Sequence, residues 1–361
     1  LFNYLEEWDQ PQHIYSKKNE PVEITHSSLS AAFKQHFDNT IGKDANRIYW
    51  WLNKAKGFSR PLYCAATVNA LSELVESKQH ENLKDYFDFC DWVLSHEDTV
   101  PQTQWDEDRE DADQKKRSWS SSRSAVRSFA VKCISEKSEL SQDWRDHIFN
   151  LYKQLCTGKD ANLEKEHEGK YARSAHSLVS IAINQTRSQA LEGLFNYANW
   201  VRKAAGTNCE VPEITELIDQ RIAGTPELTD AERVSLAMHF GNLRWLNNAW
   251  AENKVGDIFA HQDSELWQAC FSAYLTHSRG YIYDFKYLKP EYLHAFSTVG
   301  LGEEIDKDGD DKDSYLINKC MGYHLLSFYI SELIELTSEE DLSLELFYTA
   351  TQSQKELWGD L

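Results

Sequence analysis

The stretch from Ser174 to Lys203, SAHSLVSIAINQTRSQALEGLFNYANWVRK, most constrains what this chain can fold into. Leu178, Ile181 and Ala182 recur at helical spacing, and Leu191, Leu194, Phe195, Ala198 and Val201 do so again, which sets two amphipathic helices in succession. Between them Thr186 and Gln189 stand three apart. That is the spacing of a capping box, in which the hydroxyl takes the N3 amide proton and the Gln side chain reaches back to the cap residue's own N–H. A second helix is therefore predicted to start near Thr186. Asn184 tolerates the left-handed backbone of a tight helix stop and is placed to end the first, while Gly193 lets a further helix come close. The predicted unit is a helical hairpin with a short corner.

The same period runs along most of the chain. Helical segments are predicted over Leu29 to Phe37, Ala45 to Lys54, Leu62 to Ser77, Asn82 to His96, Trp119 to Glu136, Gln142 to Cys156 and Pro212 to Ala223. Thr229 with Glu232 supplies a second capping box before Val234, Leu236, Ala237 and Phe240. Leu246, Ala249 and Trp250 are spaced to fill one side of a helix, which turns Trp245 elsewhere. Helices follow over Leu266 to Leu275 and Tyr281 to Val299, where Pro290 is placed for a first turn. Two more are expected over Ser314 to Thr337 and Glu339 to Leu357. Leu1 to Glu20 is polar and aromatic, and Pro11 and Pro21 limit any helix there. The fold class expected is all-α, an irregular α-solenoid of antiparallel helical hairpins resembling TPR or HEAT arrays. Residues 1–118 are expected to form helical repeats that end in an acidic loop. Residues 119–361 would continue the array within one elongated domain.

Composition excludes several functions. The net charge of −20 opposes nucleic acid as a partner, because affinity for a phosphate backbone rests on Lys and Arg displacing counterions. Seven dispersed cysteines (Cys64, Cys90, Cys133, Cys156, Cys209, Cys270, Cys320) form no CxxC pair, so neither structural zinc nor a disulfide framework is expected. They read as small core residues of a reducing compartment. No apolar run has membrane-spanning length, and a cytoplasmic location is expected. The chain opens on Leu1 rather than Met, from which a fragment of a longer polypeptide is expected. The twelve tryptophans are expected mainly as wedges between helical layers.

No chemistry stands out. A phosphate loop of the GxxxxGK[ST] kind is missing, as are HExxH, GxSxG and the kinase signatures, so no catalytic residue, metal or cofactor is expected. His147, His176, His239, His294 and His324 are scattered along helical segments. The acidic run at Asp106 to Asp113 and the acidic stretch Glu303 to Asp313 read as solvated loops. Counted from Asp306, the second would need Gly at position six and Glu at position twelve to hold calcium. It has Asp311 and Ile317.

Asn184, Arg187, Ala190, Leu191, Glu192 and Leu194 carry the pattern N-x-x-R-x-x-A-L-E-x-L. Leu243, Trp245, Leu246, Trp250, Phe259 and Trp267 carry a second, of a Leu-x-Trp-Leu core with spaced aromatics. Together these resemble the C-terminal helical regions of large bacterial anti-phage defence proteins, among them the Avs family of antiviral STAND ATPases and sirtuin-like defence proteins. The Gly usual after the Arg is Ser188 here, and Asn247, Asn248 and Ala249 stand where an acidic residue is frequent. The resemblance implies a sensor region that recognises a phage protein and activates an NTPase or effector in a part absent from this chain. The alternative is a structural or oligomerising scaffold of a multidomain enzyme. The fragment itself is not expected to be an enzyme. Because Trp, Tyr and Arg dominate binding hot spots, Arg244, Trp245, Arg279, Tyr281 and Tyr283 are the expected partner-binding residues. The expected partner is a protein, with homo-oligomerisation through the full-length chain also open.

Overall fold

The computed structural model of the chain describes residues 2–7, 12–15, 21–24, 26–41, 47–97, 118–158, 168–171, 173–206, 209–224, 227–278, 282–298, 320–325, 327–328 and 331. Helix dominates the described residues, and no described helix is long and apolar enough to cross a membrane. The exception to helix is a two-stranded antiparallel ribbon, β1 (Gln12–Tyr15) with β2 (Pro21–Ile24), paired Gln12 to Ile24 through Tyr15 to Pro21. Pro21 stands at the strand's first position, where its missing N–H breaks no inner ladder bond. A short helix α1 (Phe2–Glu7) precedes the ribbon, in a region where the prolines had argued against helix.

Two compact units are present, Leu1–His167 with Asn196–Cys209, and Glu168–Phe195 with Glu210–Leu361. In the first, α2 (His26–Ile41), α3 (Ile48–Ala55), α4 (Pro61–Glu76), α5 (Leu83–Leu94), α6 (Ser120–Cys133) and α7 (Arg145–Thr157) follow one another. Helix α4 is central. Pro61 opens it at a position where no intrahelical N–H is needed. Twelve of its residues, from Pro61 to Val75, are buried almost all round the axis, so it must be surrounded. It packs against α2, α3, α5 and α6. Its buried hydroxyls are satisfied within the helix, Thr67 donating to the Tyr63 carbonyl (2.9 Å) and Ser72 to that of Val68 (3.0 Å). The acidic stretch at 97–118 does not close a unit, since α4 and α5 before it pack on α6 after it. Ser122 donates to the Pro61 carbonyl at 2.6 Å, and the Phe87 and Phe129 rings meet edge to face at 5.4 Å.

The second unit begins with α8 (Ala175–Asn184), capped by Ser174 accepting from the Ser177 N–H (3.3 Å). Helix α9 (Thr186–Ala205) follows, its residues to Phe195 belonging to this unit and those from Asn196 to the first. The corner differs from the one the spacing predicted. Asn184 does end α8, yet the turn comes from Gln185 in extended conformation (φ −81, ψ 131) and not from left-handed backbone. Nor does the Thr186–Gln189 box form. Gln185 takes the cap position, Thr186 is already helical, and the Gln189 amide donates to the Ile183 carbonyl. The reason is burial: Gln185 is 4 % exposed and donates to Glu168 at 3.2 Å, which fixes where the helix can start.

Beyond it come α10 (Pro212–Ile222), α11 (Asp230–Met238), α12 (Phe240–Leu246), α13 (Asn248–Asn253), α14 (Val255–Ile258), α15 (Ser264–His277) and α16 (Ile282–Thr298). The second capping box is complete, with Thr229 and Glu232 exchanging bonds at 3.2 and 2.9 Å. Helix α15 is this unit's central element, buried from Leu266 to Leu275 and packed on α8 and α11. Helix α16 runs through Pro290 rather than starting there. The proline lies on the exposed side, where water can serve the carbonyl it leaves unbonded. Leu246, Ala249 and Trp250 share no face, because the helix breaks at Asn247 (φ −153, ψ 103), whose side chain caps α13 by accepting from the Trp250 N–H (3.1 Å). Ala249 is exposed, and the Trp250 indole donates to Asp219 at 3.0 Å. The acidic runs at Asp106 to Asp113 and Glu303 to Asp313, and the helix expected over Glu339 to Leu357, lie outside the described residues.

All seven cysteines are free thiols, five of them buried, as small core residues would be.

Candidate functional site

Helices α12 and α16 pack together and carry three of the five residues singled out from the sequence, Arg244, Trp245 and Tyr283. Phe240, Leu243 and Leu246 are the buried line of α12. Three- and four-residue steps put them on one face, so Trp245 turns outward at 44 % exposure and Arg244 lies at the edge. In α16, Phe285, Leu288, Tyr292 and Ala295 are buried, which leaves Tyr283 outside at 74 % exposure.

Asp284 ties the two helices together. Its carboxylate, wholly buried, accepts from Arg244 Nε at 2.6 Å. Burial pushes this carboxyl above the usual carboxylate range, and the Arg244 guanidinium opposes that without cancelling it. The same guanidinium lies 5.7 Å from the centre of the Tyr283 ring, a cation–π contact. One turn further along α16, Lys286 lies 5.5 Å from the Tyr287 ring centre, and the Tyr287 hydroxyl accepts from Asn248 Nδ2 at 2.7 Å. Arg244, Trp245 and Tyr283 thus fall in one neighbourhood of α12 and α16. Arg279 and Tyr281 lie outside the described residues.

Sequence reasoning missed Asp284. A signal existed: Asp284, Leu288, Tyr292 and Ala295 share one face, and an acid on an apolar stripe needs a cationic partner. Tyr274, Ser278, Tyr292 and His324 stand behind it. His324 is 4 % exposed, with Nδ1 2.7 Å from the Tyr292 hydroxyl and Nε2 3.1 Å from the Ser278 carbonyl. A carbonyl only accepts, so Nε2 carries the proton and Nδ1 accepts from Tyr292. Burial pushes His324 down to about 4 and pushes the Tyr274 and Tyr292 phenols up.

A second constellation centres on Glu291, 1 % exposed. One oxygen meets His261 Nε2 at 2.7 Å and the other accepts from Trp267 Nε1 at 2.6 Å. Left-handed backbone at Ala260 (φ 54) turns the chain to present His261, and Gly256 leaves room for its ring: a Cβ there would stand 3.1 Å from Nδ1. This orients an imidazole, yet nothing completes a catalytic or metal-binding set around it. Among the described residues no group of three His, Cys, Asp or Glu side chains can hold a metal ion. A third cluster is structural. Arg173 bridges Asp230 (2.7 Å) and Asp263 (2.8 Å), while Glu168 accepts from the Asp230 N–H (3.1 Å) at the start of α11.

No protein-family model, no curated protein and no solved structure matches the chain. The resemblance expected from the motif residues therefore gains no support from these comparisons. Most of the motif residues are packing residues: Ala190, Leu191, Leu194, Leu243, Leu246, Phe259 and Trp267 are all buried, and Arg187 is 2 % exposed. Of the two patterns, Trp245 is the large aromatic that faces outward.

Proposed function

We propose that the chain is an irregular helical-repeat array that binds a protein partner, the sensor region of a bacterial antiviral defence protein that recognises a phage protein. The NTPase or effector it would activate lies in another part of that protein. The observation that carries the reading is the pair of exposed aromatics, Trp245 and Tyr283, beside Arg244. A ring as exposed as that of Tyr283, held against a fixed guanidinium, contributes little to folding, and it and the outward-turned Trp245 are residue types that suit the centre of an interface. The net charge of −20 favours a protein surface over nucleic acid.

The test is a pull-down with this chain as bait from phage-infected and uninfected bacterial lysates. A stoichiometric phage protein captured only from the infected lysate, and lost with Trp245→Ala, is the expected result. The scaffold reading is favoured by a different observation, the adjacent exposed rings of Tyr49 (65 %) and Trp50 (52 %) on α3 in the first unit. Self-association abolished by Trp50→Ala, with no phage protein captured, would establish that reading instead.

A further inference from the structure

Among the described residues Arg244 spends one of its five N–H groups on a hydrogen bond. Nε donates to Asp284, and among the described residues its two terminal nitrogens have no hydrogen-bond partner. Its side chain is 23 % exposed, so the group is held from behind and open in front. A surface arginine ordinarily loses rotamer freedom on binding. Here the carboxylate behind and the Tyr283 ring alongside have already removed it. Such an arginine is set to receive a planar anion through its remaining parallel donors.

We propose that Arg244 reads a carboxylate of the protein partner, an Asp or Glu side chain taken by its two terminal nitrogens, with Trp245 and Tyr283 covering an apolar side chain next to it. This rests on the partner-binding reading above and adds the partner's chemistry. Three features favour this occupant. One guanidinium fork matches one carboxylate, whereas a polynucleotide needs a run of cations that a chain of net charge −20 does not supply. The Trp245 and Tyr283 residues are 44 % and 74 % exposed, more apolar surface than a small free anion would cover. The N–H groups left on Arg244 once Nε is spent on Asp284 also match an acceptor-only carboxylate, which can take two of them in parallel.

The test is an array of immobilised twelve-residue peptides of varied sequence, each made in two forms, one with Asp and Glu and one with Asn and Gln in their place. It is probed with the whole chain as wild type, Arg244→Lys and Tyr283→Ala. Lysine keeps a cation for Asp284 but has no fork. The expected result is that bound peptides carry an acid beside a large apolar residue, and that the amide form and Arg244→Lys each lower binding at least tenfold at unchanged melting temperature. If Arg244→Lys fails to fold, the acid-to-amide comparison and Tyr283→Ala still decide. Peptides bound equally in both forms would overturn this inference and leave the partner-binding reading standing. No bound peptide at all would overturn both. A dimer in sedimentation velocity that Tyr283→Ala turns into monomer would make a second copy the occupant and overturn the proposal.

Discussion

The two units are both built from helices around one almost wholly buried helix, yet they fill their interiors with different chemistry. In the first the interior is rings and thiols. Phe2, Phe33, Trp51, Phe58 and Tyr63 meet at 4.9–6.2 Å, and Cys64, Cys90, Cys133 and Cys156 are wholly buried. Its described buried polar side chains are hydroxyls, with Arg202 the one charged exception, and ion pairs such as Lys203–Glu136 lie in water. The second unit buries Glu168, Arg221, Glu232, Asp284, Glu291 and His324. Apolar packing tolerates exchange of one side chain for another of similar size. A buried charge tolerates nothing that removes its partner. The buried ion pairs of the second unit are thus the places where a single substitution costs most.

The sharpest way to break that comparison is to strand a charge. Arg221 and Glu232, both wholly buried, meet at 2.5 Å, and Glu232 also accepts from the Thr229 N–H to close the capping box. Arg221→Met leaves that carboxylate unpaired and should cost about 3–5 kcal/mol in urea unfolding. Adding Glu232→Gln keeps an acceptor for the cap and removes the stranded charge, so the double variant should recover most of the loss. In the first unit Lys203→Met breaks an ion pair of equal length, 2.5 Å, whose members are 66 % and 86 % exposed. It should leave the unfolding midpoint unchanged.

Acid titration separates the units next. His324 titrates near 6.5 when unfolded and is pushed down to about 4 by burial. Between those values the folded chain binds fewer protons than the unfolded one. The stability His324 allows is therefore complete above pH 6.5 and falls as pH drops toward 4, by up to about 3 kcal/mol. Asp284 and Glu168 are raised by burial and act with the opposite sign, since the stability they withhold at neutral pH returns as they take up protons. His324→Gln should accordingly convert a loss of stability on acidification into a flat or rising profile. In the first unit burial pushes Tyr86 up to about 12 and Cys90 well above its usual value, out of that range, and the half-buried Asp91, also raised by burial, acts with the sign of Asp284.

What could be read from the sequence divides along the same line. Period alone placed α4, α5, α6, α10 and α15 within a few residues, because apolar burial imposes the 3.6-residue repeat that the sequence displays. The Thr229–Glu232 box formed as its spacing required, and the Thr186–Gln189 box did not. The difference lies in Gln185, whose long-range bond to Glu168 overrides the local preference, and no local pattern encodes a partner 17 residues away. Pro290 misled for a related reason: tertiary packing of Phe285, Leu288 and Tyr292 carries α16 through a residue that locally argues for a start. Of the site, Trp245, Tyr283 and Arg244 were legible as residue types suited to an interface. The carboxylate that fixes Arg244 was legible only as an acid on an apolar stripe, with nothing to name its partner 40 residues back.

The smallest expected effect on stability carries the most information about function. Tyr283→Ala removes a large ring that folding leaves mostly in water and Trp245→Ala that of a residue 44 % exposed, so each should shift unfolding by no more than about 1 kcal/mol. Tyr283 gives up a cation–π contact worth about 0.5–1 kcal/mol at an exposed site, and relief of an exposed apolar surface offsets part of it. Tyr63→Ala in the first unit provides the scale. That ring is wholly buried against Phe58 and Phe33, and its loss should cost about 3–5 kcal/mol. If Trp245→Ala approached the Tyr63 value, its ring would belong to the packing and the surface would lose its reading as an interface. If it stayed near zero while partner capture was lost, the exposed rings of the second unit would be retained for a contact outside the chain, set on a frame of buried charges that holds them in place.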